Sequence, residues 1–224
     1  MDPLRFVRMI RHGCVCWEHE DVVVYVDPYL IEDSPHDADL VLITHAHADH
    51  YSPEDIARVR KDDTCFASTA EVGHLLMEDF HLDPDYFTVL GAGTPSVAFE
   101  CGTIVTPIAA ENVNHPAGAG FGFVLELGGF SYYVSGDTDV LDDAVRCDVL
   151  FVCCDGIWNM PQFETRVVER CKPCTVSPAW WCPITTARTA CPPKTARFCA
   201  NPWPKQASLA RSGTAEPPRR PFAP

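Results

Sequence analysis

The chain of 224 residues is 46% hydrophobic and 21% charged, which is ordinary for a globular protein and excludes a wholly disordered or collagen-like chain. It has no apolar run of about 18 residues, so no transmembrane helix is expected, and its net charge of −14 argues against a surface that binds nucleic acid. The first residues mix charged with apolar side chains, so we expect no signal peptide. Twelve cysteines then indicate reduced thiols and a cytoplasmic protein.

The composition changes sharply near residue 174. Residues 1–173 carry 10 basic and 30 acidic side chains (−20), and residues 174–224 carry 7 and 1 (+6), which together give −14. All nine histidines lie at or before His115, and half of the 20 prolines fall in the later part. We therefore predict one folded domain over residues 1–173 and a disordered tail, rich in proline, cysteine and arginine, over residues 174–224.

The first predicted elements are strands followed by helices. Residues 6–10 and 22–26 are β-rich runs around a turn, the pattern of a hairpin. Residues 39–44 (DLVLIT) are almost all apolar, which predicts a strand covered on both faces. Ser52 and Pro53 then begin a helix, because serine caps helices and proline fits the first helical position. The next predicted elements are a strand and a helix, over residues 64–67 and 69–80.

Further β-rich runs, separated by glycine turns, predict four more strands. They cover residues 97–99, 104–108, 122–126 and 131–135. Residues 141–145 are predicted as a short helix and residues 149–153 as another buried strand. Strands that first form hairpins and then alternate with helices indicate a mixed α/β architecture with the helices outside.

The most informative motif, Thr-His-Ala-His-Ala-Asp-His, follows the predicted strand 39–44 directly. It places four candidate metal ligands close together: His45, His47, Asp49 and His50. Imidazole and carboxylate are the ligands that zinc and similar divalent ions prefer. A chain leaving a strand end can direct the first two to one point and the last two to a second point. The alternative is a run of solvated surface histidines.

Two later segments offer the ligands that such a site still needs. His115 lies between a predicted strand and a glycine-rich stretch. Asp137 follows another predicted strand, and Gly136 before it allows a close backbone approach. An aspartate at this place could bridge two metals with its two oxygens. The alternatives are a structural histidine beside Pro116 and an ordinary turn aspartate.

Together these motifs resemble the metallo-β-lactamase-fold hydrolases, whose signature is His-x-His-x-Asp-His, then a distant His, then an Asp in a Gly-Asp-Thr turn. Residues 10–13 and 25–28 are similar to the subgroup near the ascorbate-6-phosphate lactonases. The resemblance covers about residues 5–173 and implies an α/β fold, the αββα four-layer sandwich. It also implies one metal on His45, His47 and His115, a second on Asp49 and His50, and Asp137 as the bridge.

The resemblance implies a metal-dependent hydrolase that binds two Zn2+ ions, with Mn2+ or Fe as other candidates. Two such ions activate a water for attack on an ester, lactone, amide or phosphodiester bond. Asp49 would orient this water and take its proton. The expected partner is a small-molecule substrate, with no nucleic acid and no membrane, and a homo-oligomer stays open.

The family pattern also needs a last histidine after a final buried strand, and no histidine follows His115 here. The counterpart region, residues 172–187, reads KPCTVSPAWWCPITTA. We therefore expect the last strand and helix to be missing or replaced and the second metal site to be weakened.

A shifted reading frame explains this departure. With GC-rich codons for residues 179–187, the bases starting at the last letter of the Ala179 codon spell Val-Val-Val-Pro-His-His-His-Gly. We hypothesise that the frame slips between residues 173 and 179 and that the tail is off-frame translation. A genuine disordered extension is the alternative.

Other roles stay open at this point. The chain could be a metal protein without hydrolytic turnover, such as a di-iron redox module or a sensor, or an inactive scaffold. His12 either orients a metal ligand or is a surface hairpin histidine. Asp27 either ends a strand or places a carboxylate near the metals.

Overall fold

The computed structural model describes residues 2–153, 158–160 and 180–184, the last of these by backbone alone. Its strands form two six-stranded sheets. The first contains, side by side in chain order, β1 (Val7–Arg11), β2 (Cys14–His19), β3 (Val22–Val26), β4 (Ala38–Leu42), β5 (Arg60–Ser68) and β6 (Phe87–Val89). The second contains, again in chain order across the sheet, β7 (Val97–Ala98), β8 (Ile104–Ala109), β9 (Phe121–Leu127), β10 (Phe130–Val134), β11 (Val149–Cys153) and β12 (Trp180–Ile184).

Both sheets begin as antiparallel meanders and end with parallel strands. β1, β2 and β3 pair antiparallel, and β3 to β6 pair parallel. β7 to β10 pair antiparallel, and β10, β11 and β12 pair parallel. The carboxyl ends of parallel strands meet at one edge of a sheet, so the loops that follow β3, β4 and β10 can converge there.

Two helices pack on the outer face of the first sheet. α1 (Pro53–Val59) begins at Ser52, whose side chain accepts a hydrogen bond from the amide of Asp55, and α2 (Ala70–Phe80) begins at Thr69. Their buried side chains join those of β3, β4 and β5 in one apolar cluster. Both helices confirm the predicted starts. Within the described ranges, no helix combines the length and apolarity needed to cross a bilayer.

A second apolar cluster fills the space between the sheets. It includes Trp17, whose ring lies edge-on to Tyr132 at 5.7 Å and to Phe151 at 5.5 Å between centroids. A third cluster, which includes Tyr133 and Met160, covers the outer face of the second sheet. Helices, two facing sheets and this outer cluster are the layers of the predicted αββα sandwich that the described residues contain.

The structure corrects two sequence predictions. The turn expected between residues 10 and 22 contains β2, whose residues 14–17 are all buried and so lack the alternation that marks a strand. The short helix predicted over residues 141–145 is wrong. The Asp142 side chain accepts a hydrogen bond from the Ala144 amide, and its carbonyl accepts one from Val145, so this short segment forms a turn.

A strand occupies the end of the second sheet where a missing or replaced strand was expected. β12 pairs parallel to β11, with Trp180 opposite Val149 and Ile184 opposite Cys153. Its residues belong to the segment 174–224. The last helix of the sandwich and the expected disorder of the tail lie outside the described residues, and the boundary at residue 173 stays a prediction.

Candidate metal centre

The histidine-rich loop after β4 is fixed between the two sheets. The Ile43 amide donates to the Ala67 carbonyl on β5, and the Phe121 amide at the start of β9 donates to the Thr44 carbonyl. His45 also forms a bridge with Gly120, where an added Cβ would lie 3.0 Å from the His45 Cβ. The loop is therefore hydrogen-bonded to both sheets.

Three histidines form a first donor cluster. The Nε2 atom of His115 lies 3.1 Å from Nε2 of His45 and 3.0 Å from Nδ1 of His47. Zinc–nitrogen bonds of about 2.0–2.1 Å in a tetrahedral arrangement place neighbouring donors about 3.3 Å apart. The three ring nitrogens are therefore close to the spacing that a zinc ion requires.

A second donor cluster is organised around His50. Its Nδ1 donates to Asp27 Oδ2 at 2.7 Å, and the Thr44 amide and hydroxyl donate to the same carboxylate at 2.7 and 2.8 Å. Because Nδ1 is engaged, only Nε2 of His50 is left to face a metal. It lies 3.9 Å from Asp49 Oδ2 and 3.6 Å from Asp137 Oδ1. Asp27 thus acts as a carboxylate beside the centre, one of its two expected roles.

Asp137 stands between the two clusters. Its Oδ1 is 3.6 Å from Nε2 of His50, and its Oδ2 is 3.8 Å from Nε2 of His115. The Nδ2 group of Asn159 donates to Oδ2 at 3.2 Å. Both Nε2 of His50 and Oδ1 of Asp137 are buried without a hydrogen-bond partner among the described residues. A cation would satisfy both atoms, so the residues fit a metal here.

The electrostatics of the clusters favour neutral imidazole at His45 and His115 and a charged one at His50. Burial, and then the neighbouring charge of His50, lowers the pKa of His45 to about 2. Burial also lowers the pKa of His115. Burial opposes charge on His50 as well, but Asp27 raises the pKa of His50 to about 9. His45 and His115 therefore offer unprotonated nitrogen at neutral pH, whereas a metal bound at His50 displaces a proton.

Asp49 lies at the rim of the second cluster and is about half exposed. Its Oδ2 is 3.1 Å from Nε2 of His12. This histidine, and then the charge of His50, hold the pKa of Asp49 far below its usual range. The carboxylate is thus ionised at neutral pH and available as a ligand.

The structure brings all six residues expected from the sequence to one edge of the sandwich. They are His45, His47, Asp49, His50, His115 and Asp137. Sequence reasoning missed two asparagines. Asn112 accepts a hydrogen bond from Nδ1 of His115 at 2.8 Å, and its amide donates to Asn159 at 2.6 Å. Asn112 could have been predicted, because it lies three residues before the candidate ligand His115. Nothing in the local sequence pattern indicated Asn159.

Comparisons with known proteins point the same way. The model of the beta-lactamase superfamily domain matches residues 7–179. A UPF0173 metal-dependent hydrolase of Salinibacter ruber is 34% identical over 139 residues, which cover 57% of this chain and 59% of the relative. The chain spans 59% to 64% of the length of the curated relatives it matches.

Solved structures share the fold. A putative metal-dependent hydrolase from Parabacteroides distasonis superimposes with a TM-score of 0.61 at 21% identity, covering 74% of this chain and 76% of that one. CmlA, a diiron beta-hydroxylase from Streptomyces venezuelae, superimposes with a TM-score of 0.53 at 19% identity, covering 65% of this chain and 34% of that one.

Proposed function

Since the chain belongs to the family of the beta-lactamase superfamily domain, we propose that it is a metal-dependent hydrolase with a two-metal centre. The curated relatives that it matches are named metal-dependent hydrolases. The observation that carries the proposal is the position of Asp137, which turns one oxygen toward each of two donor clusters. A carboxylate shared in this way is what a pair of divalent ions requires.

The proposed ligands follow the two clusters. The first metal would be held by His45, His47 and His115, the second by Asp49 and His50, and Asp137 would contact both. Imidazole nitrogen with carboxylate oxygen suits Zn2+ best, and Mn2+ or Fe can replace it.

When bound, the divalent ions lower the pKa of a coordinated water toward neutrality and polarise the oxygen of the bond that is cleaved. The protein positions the groups around that water. Asp49 is half exposed at the rim of the second cluster, so it can orient the water, and we assign it the proton of that water as the family resemblance implies. Asp27 and Asn112 hold the rings of His50 and His115 so that each presents Nε2.

We propose an ester, a lactone or a phosphodiester of a small molecule as the substrate. Each of these presents a carbonyl or phosphoryl centre that an activated water can attack. We place the reaction in the cytoplasm, as the cysteine content of the sequence predicts.

The test combines metal analysis with a substrate panel. Purified protein should contain two equivalents of zinc or manganese and hydrolyse a member of a panel of lactones, phosphodiesters and thioesters. His47→Ala should lower the rate by about 100-fold or more, because it removes a donor of the first cluster. His74→Ala, at an exposed histidine on α2, is the matched control and should keep the wild-type rate. Equal rates for wild type and His47→Ala, with metal bound, would indicate a scaffold without turnover.

A redox function is the second candidate. CmlA is named a diiron beta-hydroxylase and shares the fold, and imidazole with carboxylate also suits iron. A coloured di-iron centre in a protein that hydrolyses no member of the panel would replace the hydrolase proposal with this one.

A further inference from the structure

We propose that His12 is a direct ligand of the second metal and completes a donor set with Asp49, His50 and Asp137. The inference rests on the proposed two-metal function. It gives the second site the histidine that the sequence lacks after the last strand, and it takes that histidine from the opposite end of the chain.

The backbone carries His12 into the site. His12 and Gly13 form the turn between β1 and β2, and His12 has a left-handed φ of 52°. A Cβ atom added to Gly13 would lie 3.3 Å from Cε1 of His50. The turn is therefore seated against His50, and the rings of His12 and His50 lie 5.3 Å apart between centroids. Residues other than glycine and asparagine hold a left-handed backbone mainly where the surroundings fix it, often at functional sites.

The ring nitrogen of His12 is buried and unsatisfied. Its side chain is only 8% exposed, so it is not a surface hairpin histidine. Nε2 lies 3.1 Å from Asp49 Oδ2 but makes no hydrogen bond of acceptable geometry in the described part of the chain. Buried polar atoms almost always find a partner, so this atom needs an explanation.

Two unsatisfied ring nitrogens of the second cluster, one on His12 and one on His50, lie beside the same Asp49 carboxylate. Four buried side-chain nitrogen or oxygen atoms lack a partner in the described ranges, and three of them are Nε2 of His12, Nε2 of His50 and Oδ1 of Asp137. The donor atoms of His12, Asp49 and His50 lie within 4.8 Å of one another. A contact of His12 with Asp49 alone would leave Nε2 of His50 without a partner, whereas one cation beside Asp49 would satisfy both ring nitrogens.

The donor count also favours His12. Without it, the second metal has Asp49, His50 and a share of Asp137. With it, the metal has two nitrogen and two oxygen donors. The distances of 3.1 and 3.9 Å from Asp49 Oδ2 to the two Nε2 atoms lie on either side of the spacing of about 3.3 Å expected for tetrahedral zinc.

The experiment titrates Co2+ into the metal-free full chain. Wild type should bind two equivalents. His12→Gln should bind the first as wild type does and the second at least about 100-fold more weakly, since a direct ligand is lost. His81→Gln is the matched control, because His81 has a similar left-handed φ of 50° and is exposed. It should bind both equivalents as wild type does.

Proton NMR of the Co2+ protein separates ligation from mere orientation of Asp49. Each ligating histidine gives one strongly shifted, exchangeable ring N–H signal, and His12→Gln should lose one such signal. Weaker binding with every signal retained would overturn direct ligation, as would unchanged binding of both equivalents. If His12→Gln fails to fold in a urea titration, His12→Asn replaces it, since asparagine tolerates the left-handed backbone.

The outcomes for wild type distinguish this inference from the proposed function. Binding of one equivalent by a hydrolytically active protein overturns the role of His12 and the second metal, and leaves the hydrolytic function standing. Binding of no metal overturns both.

Discussion

The histidines of the two clusters are oriented by partners that are not themselves ligands. His50 donates from Nδ1 to Asp27, and His115 donates from Nδ1 to Asn112. Each bond selects the tautomer that leaves Nε2 for a metal. The affinity of the centre for metal therefore depends on residues that the ligand motif does not contain.

Replacing Asn112 tests this dependence. Its Oδ1 accepts hydrogen bonds from the amides of Asn114 and His115 and from the His115 ring. We expect Asn112→Ala to weaken zinc binding at the first cluster by about 10- to 100-fold, measured by isothermal titration calorimetry.

Two variants control this measurement. Asn112→Asp keeps an acceptor for the ring but loses the donor to Asn159, so it should bind zinc more tightly than Asn112→Ala does. Asn114→Ala, at an exposed neighbour, should behave as wild type. Zinc binding by Asn112→Ala at wild-type strength would show that the ring of His115 does not depend on this bond.

The sequence predicts the candidate ligands better than it predicts the side chains that orient them. The spacing of the histidine motif made His45 and His47 candidate ligands, and the family resemblance added Asp137 after a predicted strand. Asn159 could not be found, because its contacts with Asn112 and Asp137 span 47 and 22 residues. Side chains that meet only through the tertiary fold leave no local pattern.

At the scale of elements, the loop that carries Asp137 is held by a close approach of β9 to the end of β10. A Cβ on Gly122 would lie 2.4 Å from the Ser135 carbonyl oxygen. Gly136, with a φ of 62°, lies against the Phe121 carbonyl. Only glycine allows the two backbones to come this near.

Gly122→Ala should therefore destabilise the protein, although alanine is favoured over glycine within a strand by about 0.5–1 kcal/mol. The clash is with backbone, which cannot rotate away, and we expect a net loss of about 1–3 kcal/mol in a urea titration. Metal binding should weaken as well, because Ser135 and Gly136 carry Asp137. A variant more stable than wild type would contradict this close approach.

Gly91→Ala is the matched control for this experiment. A Cβ at residue 91 meets nothing within 4 Å, so its stability should stay within about 0.5 kcal/mol of wild type.

Element prediction succeeded where the pattern was strong. The apolar run of β4 and the capped starts of α1 and α2 were evident from the residues themselves. β2 was not predicted, because its first four residues are all buried and its sequence therefore lacks the alternation of a half-buried strand. Residues 141–145 carried apolar spacing, but one short turn cannot offset the cost of starting a helix.

At the scale of the whole molecule, the centre joins loops from both sheets. His45 follows β4 in the first sheet, whereas His115 and Asp137 follow β8 and β10 in the second. A metal bound there favours the folded state, since the unfolded chain does not hold these groups together.

Zinc should accordingly raise the melting temperature. At a free concentration about 100 times Kd, the gain is about 2.7 kcal/mol, or about 5–11 °C for a chain of this length. Differential scanning calorimetry with zinc and with a chelator measures the difference. His115→Ala, which lacks a first-cluster donor, should show much less of it. If a protein shown to bind zinc has the same melting temperature with and without it, zinc does not bind the folded chain in preference to the unfolded chain.

The reading frame of the tail is a separate prediction. The family match ends at residue 179, and β12 ends at Ile184. With the GC-rich codons assumed above, histidine codons of the alternative frame would begin at this strand end, where the family resemblance implies the last ligand. Sequencing of the coding DNA should reveal histidine codons one base out of frame over residues 184–186. Their absence would favour a genuine extension.

The bridge between His45 and Gly120 has one more consequence. This bridge lies where the candidate ligands of the first sheet face those of the second, and we call this place the seam. The distance between the two sets of ligands depends on the distance between the sheets. Side chains such as Trp17, placed deep between the layers, therefore help to decide which ionic radius the seam accepts. Discrimination among cations becomes a property of the bulk of the molecule as much as of its coordinating atoms.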